Sequence, residues 1–185
     1  MLQLRNSAGS YGIIAQAFHW VVAGLVFLQI ALGFYAADLP VSLARLQWLS
    51  RHKSLGMTIL VLVLLRMIWR RIDPPPTFPA AMASWERRAA LAAHRGIYAL
   101  LILVMLSGWL HASATGLSVN WFGAVRIPDL IPRDAGHAAL FKDLHEGLVA
   151  TLVLLLIAHI GAAARHAVVL RDGVLRRMLP IGLKE

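Results

Sequence analysis

Four apolar runs dominate the chain, separated by short polar and proline-bearing connections. The first extends from Ile13 to Ala37 and stops at Asp38-Leu39-Pro40. The second extends from His52 to Arg70 and is followed by Arg71 and then by Asp73-Pro74-Pro75-Pro76. Proline cannot continue a helix, and the residue before it avoids the helical region, so the second run ends there. The third covers Ala89 to Ser113, with Gly116 just beyond it, and the fourth covers Leu144 to Leu170. These runs lack a narrow apolar stripe at helical spacing. They are apolar nearly all round, as expected of helices surrounded by other helices or by lipid. A bilayer core of about 30 Å takes about 20 helical residues to cross. The pattern predicts an all-α membrane protein: a four-helix transmembrane bundle in a single domain over residues 1–185, with spans at approximately 13–37, 52–70, 89–113 and 144–170.

Composition agrees with that expectation. Hydrophobic residues make up 59% of the 185 positions, and the mean hydropathy is +0.68. A soluble domain is about 45–50% apolar. The net charge of +9 would suggest nucleic acid in a soluble protein. Here the cations flank apolar runs, which is the pattern of topology signals and lipid headgroup contact, so nucleic acid is not an expected partner. There is no cysteine, which excludes disulfides, thiolate iron–sulfur clusters, cysteine nucleophiles and the C-x-x-C-H attachment of haem. The first run lacks a basic leader with a small-residue cleavage site and is expected to be a retained span. Trp48, Trp69, Trp85 and Trp121 stand at or just beyond span ends, as belt residues do.

The cations also predict orientation. The N-terminus, the second connection and the C-terminal tail hold most of them, including Arg5, Arg66, Arg70, Arg71, Arg87, Arg88, Arg165, Arg176, Arg177 and Lys184. That side is expected to be cytoplasmic, with both termini on it. The other side holds fewer, Arg45, Arg51, Lys53, Arg126, Arg133 and Lys142, beside the acids Asp38, Asp129, Asp134, Asp143 and Glu146.

The chemistry of the chain is carried by histidine. His145 and His159 are separated by an uninterrupted apolar stretch on the fourth span, apart from Glu146. Fourteen helical steps return to nearly the same face and advance roughly 21 Å, so one helix can present two ligands, one near each membrane face. Depth then supplies partners. His19 lies two turns into the first span from the inner side, level with His159, and His52 opens the second span on the outer side, level with His145. A lone intramembrane histidine can simply bond a neighbouring carbonyl, but that reading weakens when four of them pair by depth. Zinc or copper sites want three or four ligands at one depth. Two imidazoles at each depth suit a six-coordinate haem iron better, with the porphyrin supplying the other four nitrogens. Filling both axial positions favours electron transfer over oxygen activation.

Other residues are less specific. Gly56, one turn beyond His52, is expected to let a porphyrin approach. Lys142, Lys53 and Arg51 stand near the outer pair, and Arg66, Arg70 and Arg165 near the inner one. These cations suit haem propionates, or equally topology and headgroup contact. His166 is seven residues past His159 and rivals it as inner ligand, or can bond a substrate at the inner surface. His94 opens the third span on the inner side, His111 at its outer end is the main rival of His52, and His137 is expected in the third connection.

At these residues the chain resembles the bacterial cytochrome b561 family, from about Ala15 to Pro180. The resemblance is carried by His19-Trp20; His52 with Gly56 and Leu65-Arg66; His94 with Ile97-Tyr98; Trp121-Phe122; Lys142-Asp143-Leu144-His145-Glu146; His159 and His166; and Leu175 to Pro180. It implies a four-helix bacterial inner-membrane protein holding two b-type haems on His19, His52, His145 and His159. It further implies a respiratory electron carrier that reduces ubiquinone, with superoxide or a redox protein as donor at the outer face. Arg51, Lys53 and Lys142 then form a cationic outer rim suited to a small anion, and His166, Arg66 and Arg70 are candidates for contacting quinone or propionate. Two other readings remain: a cytochrome b anchor subunit of a larger dehydrogenase or hydrogenase, and a haem-free, histidine-lined metal or proton transporter.

Overall fold

The computed structural model describes residues 3–80 and 82–179; Pro180 and Lys184, used above, lie outside the described residues. Four long helices make up most of it: α1 (Ile13–Asp38), α2 (Leu43–Ile72), α3 (Ser84–Thr115) and α4 (Ala135–Arg165). Two short strands, β1 (Asn120–Trp121) and β2 (Val125–Arg126), pair antiparallel between α3 and α4. By length and composition α1, α3 and the stretch from Ala135 to Leu170 can each cross a membrane. α2 is as long, but it carries Arg51, Lys53 and Arg66 within it.

The helices are longer than the apolar runs because capping residues outside those runs start and stop them. Ser42 caps α2 by accepting a hydrogen bond from the Arg45 N–H at 3.2 Å. Asp134 caps α4 in the same way through the His137 N–H, at 2.8 Å, and this bond is the first cause holding its carboxyl below the ordinary value. His137 therefore lies in the first turn of α4, where the sequence reading had put a connection. α3 ends on Gly116 at φ 75°, a left-handed position that glycine takes without strain. The hairpin turns through Phe122 and Gly123, at φ 47° and 77°, the two positive values of a type I′ turn, closed by the Ala124 N–H on the Trp121 carbonyl at 3.0 Å.

The helices form two antiparallel pairs. α1 packs along α2, α3 packs along α4, and α2 joins the pairs by packing on α3. The core lies mainly among the first three helices: Val22 and Val26 of α1, Ile59, Leu60 and Val63 of α2, Leu101, Val104 and Met105 of α3, joined by Leu152 of α4. Gly56 belongs to this tight region. A Cβ there would lie 3.1 Å from Gln29 Nε2 and 3.4 Å from Met105 Sδ. Protein side chains occupy the space that the sequence reading had left for a porphyrin. α4 differs from the other helices, because Leu152 is its one fully buried residue and its packing against α1 and α2 is sparse.

Both chain ends cover one end of the bundle. Asn6 bonds Asp73 and Pro74 at the end of α2. The segment after α4 returns across α1: Trp20 Nε1 donates to the Met178 carbonyl at 2.9 Å, and Gln16 Nε2 to that of Arg177 at 3.3 Å.

Candidate haem sites

Two histidine pairs span the sparse gap between α4 and the α1–α2 pair. His19 of α1 faces His159 of α4 with ring centroids 6.4 Å apart. His52 of α2 faces His145 of α4, also at 6.4 Å. The ring planes cross at 66° in the first pair and 87° in the second. A first-row metal binds imidazole nitrogen at about 2.0–2.1 Å, and that nitrogen lies about 1.2 Å from its ring centre, so two imidazoles on opposite sides of one metal have centroids about 6.4–6.6 Å apart. Both centroid separations fall at that distance. No group of three or more His, Cys, Asp or Glu placed for a metal ion occurs among the described residues.

Each ring is held by its surroundings. His145 Nδ1 lies 3.0 Å from the Val104 carbonyl and 3.1 Å from Ser107 Oγ. Donating Nδ1–H to that carbonyl leaves the lone pair on Nε2, the arrangement that prepares a histidine to bind a metal. Gln29 Nε2 donates to the His52 carbonyl at 3.0 Å and lies 3.2 Å from His52 Nε2. His52 Nδ1 is buried with no protein partner. Two glycines make room for the outer rings. A Cβ at Gly33 would lie 3.0 Å from His52 Cε1, and one at Gly108 would lie 3.1 Å from His145 Cε1. In the inner pair, Arg66 lies 3.0 Å from His19 Nδ1 and places its guanidinium 5.5 Å from the centre of the Tyr98 ring.

The other histidines are used differently. His94 packs edge-on against His159 at 5.4 Å, closer than His19, which makes the inner cluster a trio. His111 bonds the Ala138 carbonyl at 2.9 Å and ties α3 to the first turns of α4. His166 does not face His19. It begins a widened π-turn (His166–Leu170) and bonds Asp172 at 2.6 Å. Partial burial opposes charge on Asp172, yet the His166 ring and the Val174 N–H together hold its carboxyl below the ordinary value.

The three cations of the outer rim have protein partners. Lys53 donates to the Leu117 carbonyl at 2.7 Å, Lys142 pairs with Glu146 at 2.8 Å, and Arg51 lies over the Trp48 ring at 4.4 Å. At the inner end Arg165 pairs with Glu86 at 2.8 Å.

Sequence reasoning missed Gln29, Gly33, Ser107 and Gly108. Each acts across a helix interface whose register no local pattern reveals. The SG pair at Ser107-Gly108, a polar residue and a glycine in an apolar run, was the one available signal.

The chain is similar to known proteins along most of its length. A family profile described as "Prokaryotic cytochrome b561" matches residues 10–180. The chain is 33% identical to "Cytochrome b561 homolog 2" of Escherichia coli (strain K12) over 183 residues, covering 96% of this chain and 95% of that protein. It is 28% identical to "Cytochrome b561 homolog 1" of the same organism over 129 residues, covering 70% of this chain and 73% of that protein. The chain therefore belongs to the prokaryotic cytochrome b561 family of helical membrane proteins, which bind haem b and transfer electrons.

Proposed function

We propose that this protein is a di-haem cytochrome, with one haem b between His52 and His145 near the outer face and a second between His19 and His159 near the inner face. The observation that carries the reading is the repeated 6.4 Å separation at two depths along a single helix. Bound there by these histidines, haem b would supply a one-electron redox centre suited to electron transfer.

The chain's residues bind, orient and shield. Val104 and Ser107 hold His145 in one tautomer, and Gln29 holds His52 through backbone and ring. The apolar core between the two histidine layers excludes water from the space between the sites. The physiological role follows from the ends of the bundle. Electrons enter at the outer face, from superoxide or a small redox partner drawn by Arg51, Lys53 and Lys142, and leave to ubiquinone at the inner face near His166, Arg66 and Arg70. The partners of the rim cations weaken the outer field, although Arg51 on its indole keeps its full charge. The bias of cations toward the chain termini supports an inner-membrane protein with both termini cytoplasmic.

The test is the haem-to-protein ratio of the purified protein with its reduced-minus-oxidised spectrum, followed by quinone reduction with superoxide as donor. A ratio of two with a b-type α band supports the cofactor assignment, and no α band overturns it. Superoxide-dependent quinone reduction by the isolated chain supports the donor and acceptor. A loaded protein inert toward both points to an anchor subunit.

A further inference from the structure

We propose that Arg66, Tyr98, Trp69 and the Nδ1–H of His19 form a carboxylate-binding subsite beside the inner histidine pair; this rests on His19 being an axial ligand, as proposed above. The argument is an inventory of donors. When Nε2 of a histidine binds a metal, Nδ1 carries the ring proton and needs an acceptor. His145 has one in the Val104 carbonyl. His19 has none: the group 3.0 Å from its Nδ1 is the Arg66 guanidinium, itself only a donor. With His19 as ligand, two donors face each other.

Further donors surround them. Tyr98 Oη is buried without a partner, on the residue whose ring lies 5.5 Å from the guanidinium. Trp69 Nε1, three residues beyond Arg66 on α2, is also buried without a partner. Among the described residues, no acid forms an ion pair with Arg66. Asp73, the acid one helix repeat further on, is taken by Asn6. A half-buried guanidinium without a counter-charge, facing the His19 ring and beside the unpartnered Tyr98 hydroxyl, is costly in a low-dielectric interior. A group with several lone pairs and a negative charge offsets that cost, and a carboxylate is the group whose geometry matches the guanidinium fork. The chain supplies none there, so the carboxylate comes from outside it. The cofactor's own propionate is one source and an exchangeable ion is the other.

The outer pair shares only part of this: His52 Nδ1 is also buried without a protein partner, but no guanidinium bonds its ring. His145 is satisfied by a neutral carbonyl and hydroxyl, and Lys53 and Lys142 are engaged elsewhere. Arg66 is thus a positioning and charge-compensating residue for the inner centre alone.

The test uses full-length haem-loaded protein in detergent, with the inner centre isolated by His145→Ala and its midpoint potential measured. Arg66→Gln should lower the ratio of reduced to oxidised inner haem at fixed ambient potential by about tenfold or more, the size of one hydrogen bond to a charged group. Arg66→Lys should restore most of it, which a merely structural role would not do. If Arg66→Gln is not recovered, the Tyr98→Phe, Trp69→Phe double variant takes its place with the same sign expected. Sodium acetate titrated into the Arg66-containing protein separates the sources. Indifference assigns the carboxylate to the propionate, and a dependence assigns it to an exchangeable ion. A wild-type haem ratio below two overturns the ligand reading beneath the proposal. A ratio of two with an unmoved inner midpoint in Arg66→Gln overturns the subsite alone.

Discussion

His145 Nδ1 lies 3.0 Å from the Val104 carbonyl oxygen, with Ser107 Oγ bonding the same carbonyl at 2.9 Å. A mid-helix carbonyl is normally engaged by its own helix, and here it serves a ring on another helix as well. The hydroxyl and the imidazole share it, so α3 fixes the tautomer of a ligand on α4. Ser107→Ala removes the hydroxyl's bond to that carbonyl and its 3.1 Å contact with the ring, and leaves the Val104 carbonyl in place. We expect both haems to remain and the protein to lose about 0.5–1.5 kcal/mol of stability, the net value of a neutral hydrogen bond. Thermal unfolding of the loaded protein in detergent measures it, and loss of a haem would show that Ser107 is indispensable to the site.

Replacing the paired histidines should separate the sites. His52→Ala or His145→Ala is expected to lower the haem-to-protein ratio from two to one, and His159→Ala to remove the other haem. His166→Ala should keep both, because its ring is turned to Asp172. Pyridine haemochrome assay decides this, and the reverse outcome for His159 and His166 would exchange their roles.

The trio at the inner end gives a sharper test. His94 is 5.4 Å from His159, against 6.4 Å for His19. The longer distance fits axial ligation and the shorter one fits ring-on-ring packing. His94→Leu should therefore leave the ratio at two, and His19→Leu should reduce it to one. The opposite pair of results would make His94 the inner ligand.

Gly33 and Gly108 should matter only to the outer site. Alanine at either puts a methyl about a van der Waals overlap away from a histidine ring, at 3.0 and 3.1 Å. Helix propensity alone would favour the change by roughly 1 kcal/mol, so any loss reports the ring contact. We expect weakened or missing outer haem with the inner haem spared, read from the ratio and from which midpoint survives.

Asp172 gives a dependence on pH. Its carboxyl is held below the ordinary value, so its contribution is complete above about pH 3.9 and disappears as pH falls through its lowered folded value. Melting temperatures of wild type and Asp172→Asn should differ by a constant amount at neutral pH and converge in strong acid. Curves that converge between pH 5 and 7 would contradict this assignment.

Much of this arrangement was legible in the sequence. The four apolar runs locate the helices, and depth along them pairs His19 with His159 and His52 with His145, because membrane crossing fixes how far each residue lies from a face. Helix ends were less legible, since Ser42 and Asp134 cap their helices from outside the apolar runs. Lateral register was illegible. Gly56 shares a helical face with His52, yet it faces Gln29 and Met105, and the glycines that admit the rings come from α1 and α3. Which face of a wholly apolar helix turns inward is decided by its neighbours.

The sparse packing of α4 on α1 and α2 has a consequence for biogenesis. On the proposed ligation, what the four histidines grip ties α4 to the α1–α2 pair across the gap, beside the packing of α2 on α3 that already joins the two halves. A ligand that binds only the assembled state stabilises it in proportion to its concentration and affinity. Haem supply would then govern how much of this protein survives membrane quality control, and starving cells of haem should deplete the polypeptide itself along with its colour.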